Sequence, residues 1–191
     1  MRDSGPDIDI HDRPLPYVDN LGARAMGDVD LVIMHCTELP TLADAREYGE
    51  RILYPQSGSG NSGHFYIDRD GRIERWVPED RIAHHVRGMN THSIGIELVN
   101  TGRYPEWFDS RRQAMDESYT LRQVDALIVL LQDLQARLPS LARIAGHEDL
   151  DVEEVAADDD PAVMIRRKLD PGPRFPWARV LAGCRLERLV P

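Results

Sequence analysis

Residues 120–138, TLRQVDALIVLLQDLQARL, place Leu121, Val124, Leu127, Ile128, Leu131, Leu134 and Leu138 at helical spacing along one stripe. Thr120 and Gln123 form a capping-box pair at the start, and Pro139 stops the segment. A helix of about five turns with one apolar stripe has to bury that stripe under a second layer. Two short runs can supply it. Leu31-Val32-Ile33-Met34 is apolar and partly β-branched, reads as a buried strand, and delivers His35 at its end. Ser93 to Val99 (SIGIELV) alternates, with Ile94, Ile96 and Leu98 on one face and Gly95 and Glu97 on the other. Strands and helices in this order make the chain one continuous α/β unit.

The remaining segments fit around that frame. Residues 41–54 (TLADAREYGERILY) start with Thr-x-x-Asp and carry apolar residues at helical intervals, which predicts a helix packed on the first strand. Residues 55–63 (PQSGSGNSG) have too little apolar content to pack, so they are expected as a loop bordering a groove. Residues 64–67 and 72–77 flank Asp68-Arg69-Asp70-Gly71, a hairpin signal. Residues 148–160, with Glu153, Glu154, Asp158, Asp159 and Asp160, read as a solvated acidic loop. A short helix is expected over residues 177–189, with Trp177, Val180, Leu181 and Cys184 on its packed stripe.

Charge and composition narrow the function. The 191 residues hold 23 Lys+Arg against 33 Asp+Glu, a net charge of -10, which argues against gripping nucleic acid or an anionic membrane. The longest apolar run, Ala126 to Leu131, is far short of the roughly 20 residues that cross a bilayer. No apolar stretch among the first thirty residues resembles the core of a secretory signal, so a cytoplasmic protein is expected. Cys36 and Cys184 cannot make a disulfide framework or a cysteine zinc cluster, so any metal must use mainly histidine and carboxylate ligands.

His35 follows a strand, His147 follows Gly146, and Asp170 precedes Pro171-Gly172-Pro173. Two neutral imidazoles and one carboxylate leave the fourth tetrahedral position of a zinc ion open, the arrangement of a catalytic site. Spacing alone leaves each of these residues open to an ordinary structural role, since the chain has seven histidines.

Together, VIMHCTE, GHFYIDRDGRIERWVPEDRIAHH, SIGIELVN, AGHEDL and RRKLDPGPRFPW occur in an order that resembles the zinc-dependent N-acetylmuramoyl-L-alanine amidases. These are the amidase-2 or peptidoglycan-recognition fold, and the resemblance is strongest to their AmpD-like branch. It covers the chain from about Leu31 to Trp177. It implies a single-domain mixed β-sheet flanked by helices, with residues 1–30 as an N-terminal extension packed on or leading into the domain. Residues 31–191 would be the catalytic domain, with an acidic insertion at about 150–162. It implies Zn2+ held by His35, His147 and Asp170, catalysis by Glu97 and Lys168, and a substrate groove lined by His85, with His84 the alternative. His64 is open between groove residue and structural histidine.

The implied reaction is hydrolysis of the amide between N-acetylmuramic acid, in its 1,6-anhydro form, and the L-alanine of the stem peptide, during peptidoglycan recycling. The implied partner is a muropeptide or peptidoglycan fragment, with no nucleic acid and no membrane. Two other readings compete: a lytic amidase acting on intact peptidoglycan, and a non-catalytic muropeptide-binding module. Glu97 is otherwise a structural partner for an arginine, and Lys168 one of the basic surface cluster Arg166-Arg167-Lys168. Cys36 is read as core; Trp76, Trp107 and Tyr104 are open between packing and sugar stacking.

Overall fold

The computed structural model describes residues 8–190; residues 1–7 and 191, including the start of the expected extension, lie outside the described residues. The central sheet grows from a buried strand, β2 (Leu31–Cys36), whose residues are all buried. On one side β2 pairs in parallel with β5 (Ser93–Leu98), and on the other with β6 (Arg143–Gly146). Beyond β5 lie β3 (Phe65–Ile67) and β4 (Ile73–Arg75), an antiparallel hairpin over the expected Asp-Arg-Asp-Gly turn. The edge strands are β1 (Ile10–Asp12), parallel to β4, and β9 (Glu187–Arg188), parallel to β6, giving the order β1-β4-β3-β5-β2-β6-β9.

Period-two alternation sends the two faces of β2 into different environments. Val32 and Met34 join Ile94, Ile96 and Leu98 beneath helix α2 (Leu121–Arg137) and helix α4 (Trp177–Gly183). Leu31 and Ile33 pack on the other face with Val86 and Ala145. His35 continues the second series, so it faces away from α2. Helix α1 (Leu42–Gly49) covers this second side with Leu15, Tyr17, Tyr66 and Trp76. Trp76 is therefore core: it stacks on Tyr66 at 3.4 Å between ring centroids and donates through Nε1 to Glu74.

The capping box of α2 is formed as its sequence suggests, but the stripe differs. Leu121 is 67% exposed, whereas Leu130 is fully buried in the core with Val124, Leu127 and Leu131. Gln123, polar and buried, satisfies the strand ends: its Nε2 donates to Val99 O at 2.8 Å and its Oε1 accepts from Thr120 N at 3.0 Å.

Three expectations need correction. The helix expected over residues 41–54 ends at Gly49, and Leu53 and Tyr54 turn back to donate their amides to Ser59 O. The close return depends on Gly60, where a Cβ would lie 2.0 Å from Arg51 O. The helix expected over 177–189 ends at Gly183, whose carbonyl accepts from Gln132 Nε2 on α2, and the chain then adds β9 to the sheet. The acidic segment exposes Glu153, Glu154, Asp158, Asp159 and Asp160, as expected, but it is not a loop throughout. It forms α3 (His147–Leu150) and the antiparallel hairpin β7 (Glu154–Ala156) and β8 (Met164–Arg166), with Ala157 and Ile165 buried beneath it. Two of its carboxylates have fixed donors: the buried Asp151 pairs with Arg167, and Asp159 accepts from Ser110 N and Oγ.

The expected N-terminal extension contributes β1 and the buried side chains Leu15, Tyr17, Leu21 and Val29. Among the described residues no helix is long and apolar enough to cross a membrane. Because Leu127 is fully buried between α2 and the sheet, Leu127→Ala is expected to cost about 2–5 kcal/mol, read from the urea unfolding midpoint.

Candidate metal centre

Three parallel strands, β5, β2 and β6, end on one rim of the sheet, the position where open α/β sheets bind ligands. His35 is the fifth residue of β2, and Glu97 sits beside it in the register of β5. His147 is the first residue of α3, immediately after β6. Asp170 arrives from the segment after β8, and its carbonyl accepts from Glu148 N at 2.9 Å, which ties that segment to α3.

These elements bring His35, His147 and Asp170 together. Their donor atoms all lie within 4.8 Å of one another, and all three side chains are buried. Asp170 Oδ2 is 2.9 Å from His35 Nδ1 and 3.1 Å from His147 Nδ1. Asp170 Oδ1 is buried without a hydrogen-bond partner. Metal–ligand bonds of about 2.0–2.2 Å suit donors at such separations, and an unpartnered buried carboxylate oxygen calls for a cation. The residues fit a metal.

Electrostatics favours the ligating protonation states. Burial pushes the His35 imidazole down to about 4, against the pull of Asp170, so it is neutral at pH 7. Burial pushes the Asp170 carboxyl up, but the neighbouring His147 and His35 outweigh it and hold Asp170 well below the usual carboxylate range.

The donors open into a cleft of about 380 Å³, which Glu97, Lys168, His84 and His85 also line. Glu97 is partly exposed to it, and burial, with the Asp170 charge adding and Lys168 opposing, pushes its carboxyl up to about 8. His85 Nδ1 lies 3.0 Å from His35 Nε2, and burial with the adjacent histidines holds its ring neutral. His84 meets the Tyr54 ring edge-on at 5.5 Å. His64 is a correction to the groove reading. It is fully buried and does not line the cleft; its Nδ1 accepts from Gly95 N at 3.0 Å and its Nε2 lies 3.1 Å from Arg81 O. Burial and the Arg24 charge push it down to about 3, so it serves as a neutral brace between strand and loop.

Comparison with known proteins places this arrangement. The family profile described as N-acetylmuramoyl-L-alanine amidase matches residues 25–173, a span that contains the donors, Glu97 and Lys168. The chain belongs to this amidase family. It is 34% identical over 122 residues to the 1,6-anhydro-N-acetylmuramyl-L-alanine amidase AmpD of Enterobacter cloacae, covering 59% of this chain and 51% of that one. The chain thus spans about half the length of the curated relatives it matches. A crystal structure of an AmpD derivative superposes with a TM-score of 0.65 at 25% identity, covering 96% of this chain and 99% of the other. The fold is shared with AmiD from E. coli, solved with anhydro-N-acetylmuramic acid-L-Ala-D-gamma-Glu-L-Lys, at a TM-score of 0.62 and 22% identity over 83% of this chain and 58% of that chain.

Within this amidase fold, one buried pair went unseen in the sequence. Arg103 donates from Nε and Nη2 to both carboxylate oxygens of Glu38, at 2.7 and 3.0 Å. The same guanidinium donates to Arg166 O at 3.1 Å and Arg167 O at 3.2 Å, the carbonyls just before Lys168. On the far side Tyr119 donates its hydroxyl to Pro171 O at 2.7 Å. Lys168 and Asp170 are therefore held between two fixed backbone anchors. Glu38 closes the VIMHCTE segment, but nothing in the sequence pairs it with Arg103, 65 positions away.

Gly95 sets the distance between the strand and the histidine cluster, since a Cβ there would lie 2.7 Å from the His85 ring. Gly95→Ala is expected to destabilise the fold by about 1–3 kcal/mol. Adding His85→Ala should recover most of that loss, measured by urea unfolding of both variants.

Proposed function

We infer that the chain is a zinc-dependent N-acetylmuramoyl-L-alanine amidase. It cleaves the amide joining the lactyl group of N-acetylmuramic acid, in the 1,6-anhydro form, to L-alanine of the stem peptide, as a cytoplasmic step of peptidoglycan recycling. The observation that carries this reading is the convergence of three buried donors with Glu97 and Lys168 in one cleft. The complete donor set favours an enzyme over a binding module of the same fold.

His35, His147 and Asp170 would hold zinc, which supplies a Lewis acid that polarises a carbonyl and acidifies water. Glu97 takes a proton from the attacking water as its oxygen bonds to the carbonyl carbon. It then returns that proton to the amide nitrogen as the C–N bond breaks and L-alanine leaves as an amine. A carboxyl pushed up from the usual carboxylate range holds the proton it receives long enough to deliver it to the leaving nitrogen. Lys168, held beside Asp170 by its anchored backbone, presents an ammonium where negative charge develops on the carbonyl oxygen. His85 packs against His35 and keeps its ring oriented.

Anhydro-muramyl tripeptide, followed by chromatography alongside metal analysis of the same sample, tests the proposal. Asp170→Ala is expected to lose both zinc and turnover. Glu97→Gln should retain zinc while kcat falls by about 10²-fold or more. Lys168→Ala should act on kcat with little change in KM. Zinc-loaded protein that leaves the substrate intact would sink the amidase reading.

A further inference from the structure

A chain of hydrogen bonds leads from His35 away from the metal donors and into the protein. His35 Nε2 lies 3.0 Å from His85 Nδ1, and His85 Nε2 lies 3.2 Å from Ser93 Oγ. Ser93, the first residue of β5, is fully buried and donates its hydroxyl to Met89 O at 2.8 Å. The His85 ring is placed for this by Asn90, whose Oδ1 accepts from His85 N and Val86 N, and by the bare face of Gly95.

The direction of the chain follows from its last link. A carbonyl can only accept, so the single hydrogen of the Ser93 hydroxyl is spent on Met89 O. Ser93 Oγ then offers lone pairs alone, and His85 Nε2 carries the hydrogen that meets them. A neutral imidazole has one N–H, so His85 Nδ1 is bare and accepts from His35 Nε2. His35 Nδ1 is bare in turn, and it is the atom 2.9 Å from Asp170 Oδ2, on the side of the metal donors. The reverse alignment puts a hydrogen on His35 Nδ1, where it competes with a metal ion. It also turns the Ser93 hydroxyl away from Met89 O, leaving that carbonyl the longer contact from His92 N at 3.3 Å. The other histidine donor has no such chain: His147 Nε2 faces Asp151 Oδ2 at 4.0 Å, beyond hydrogen-bond reach.

We propose that Ser93 is a positioning residue for the metal: acting through His85, it fixes His35 with its hydrogen on Nε2 and with Nδ1 bare for coordination. This rests on the zinc part of the proposed function. No proton enters or leaves along the chain. The relay selects a tautomer, and a partner behind a ligating histidine strengthens metal binding in this way.

Two measurements on the full chain test the relay: zinc affinity by competition with a chromophoric chelator, and the histidine tautomers of the metal-free protein by ring-nitrogen NMR. Wild-type His85 is expected with its hydrogen on Nε2. Ser93→Ala should shift that hydrogen toward Nδ1 and weaken zinc binding by about two- to ten-fold, the worth of one hydrogen bond. His85→Ala should weaken it by about 10- to 100-fold. His85→Asn, whose Oδ1 takes the place of Nδ1 as acceptor for His35 Nε2, should recover most of that loss. In the His85→Asn background Ser93→Ala should cost nothing further, because the hydroxyl has no ring left to direct. Zinc-binding protein with His85 protonated on Nδ1, unchanged affinity in Ser93→Ala, or an equal loss in both backgrounds overturns the relay and leaves the amidase reading standing. Wild-type protein that binds no zinc overturns both. Zinc bound with the expected shifts while anhydro-muramyl tripeptide stays intact supports the relay and overturns the amidase reading alone.

Discussion

The register of β2 against its two parallel neighbours is the constraint on which the rest depends. His35 lies opposite Glu97 in β5, and Met34 lies opposite Gly146 in β6, one residue before His147. A slip of one residue would turn His35 into the apolar layer beneath α2 and bring Met34 to the cleft. The register is strongly specified because both faces of β2 are buried in different company: Val32 and Met34 under α2, Leu31 and Ile33 against Val86 and Ala145. The hydrophobic pattern that builds the core therefore also aims the chemistry.

Gathering that chemistry is costly. His35, His64, His147, Asp170, Glu38 and Arg103 are all buried, and taking charged or polar groups from water is unfavourable unless they are paired. His35 and His64 meet the cost by staying neutral, and the ring nitrogens of His64 meet backbone groups. Glu38 and Arg103 meet it by mutual bidentate contact, and the leftover donors of Arg103 go to the carbonyls that precede Lys168. Asp170 Oδ1 is the group left without such a solution. The destabilised point of the network thus coincides with the place where a cation would complete it.

What was legible in the sequence was short-range. Alternation in SIGIELV, the Thr120 and Gln123 capping box and the Asp-Gly turn each depend on neighbours within a few residues, and each element formed. Boundaries failed where a distant group decided them: Ser59 O draws Leu53 and Tyr54 away from helix α1, and Gln132 on α2 caps the end of α4. The acidic segment was expected as a loop because the pairing of β7 with β8 and the contact of Asp159 with Ser110, 49 positions away, leave no local pattern. In the cleft, His35, His147 and Asp170 were nominated through family likeness, and the fold brings them together. The pairing of Glu38 with Arg103 carried no signal, since a contact 65 residues apart leaves no periodicity. His64 could not be decided from sequence because its role is set by Gly95 and Arg81.

The net charge of -10 and the cationic cleft wall are parts of one electrostatic design. Net charge sets a distant field that salt screens within about 10 Å, whereas a cleft with low-dielectric walls focuses its own local charges. Arg87, Arg167 and Lys168 line one cleft, while Asp151 and Glu153 of the α3–β8 segment lie just behind or across two of them. The carboxylates offset the repulsion among these cations, and they do so unequally. Asp151 is buried, whereas Glu153 is half-exposed, so its contact is the more weakened by water and salt. A segment that composition alone marks as an acidic surface thereby offsets part of the positive charge of the cleft wall.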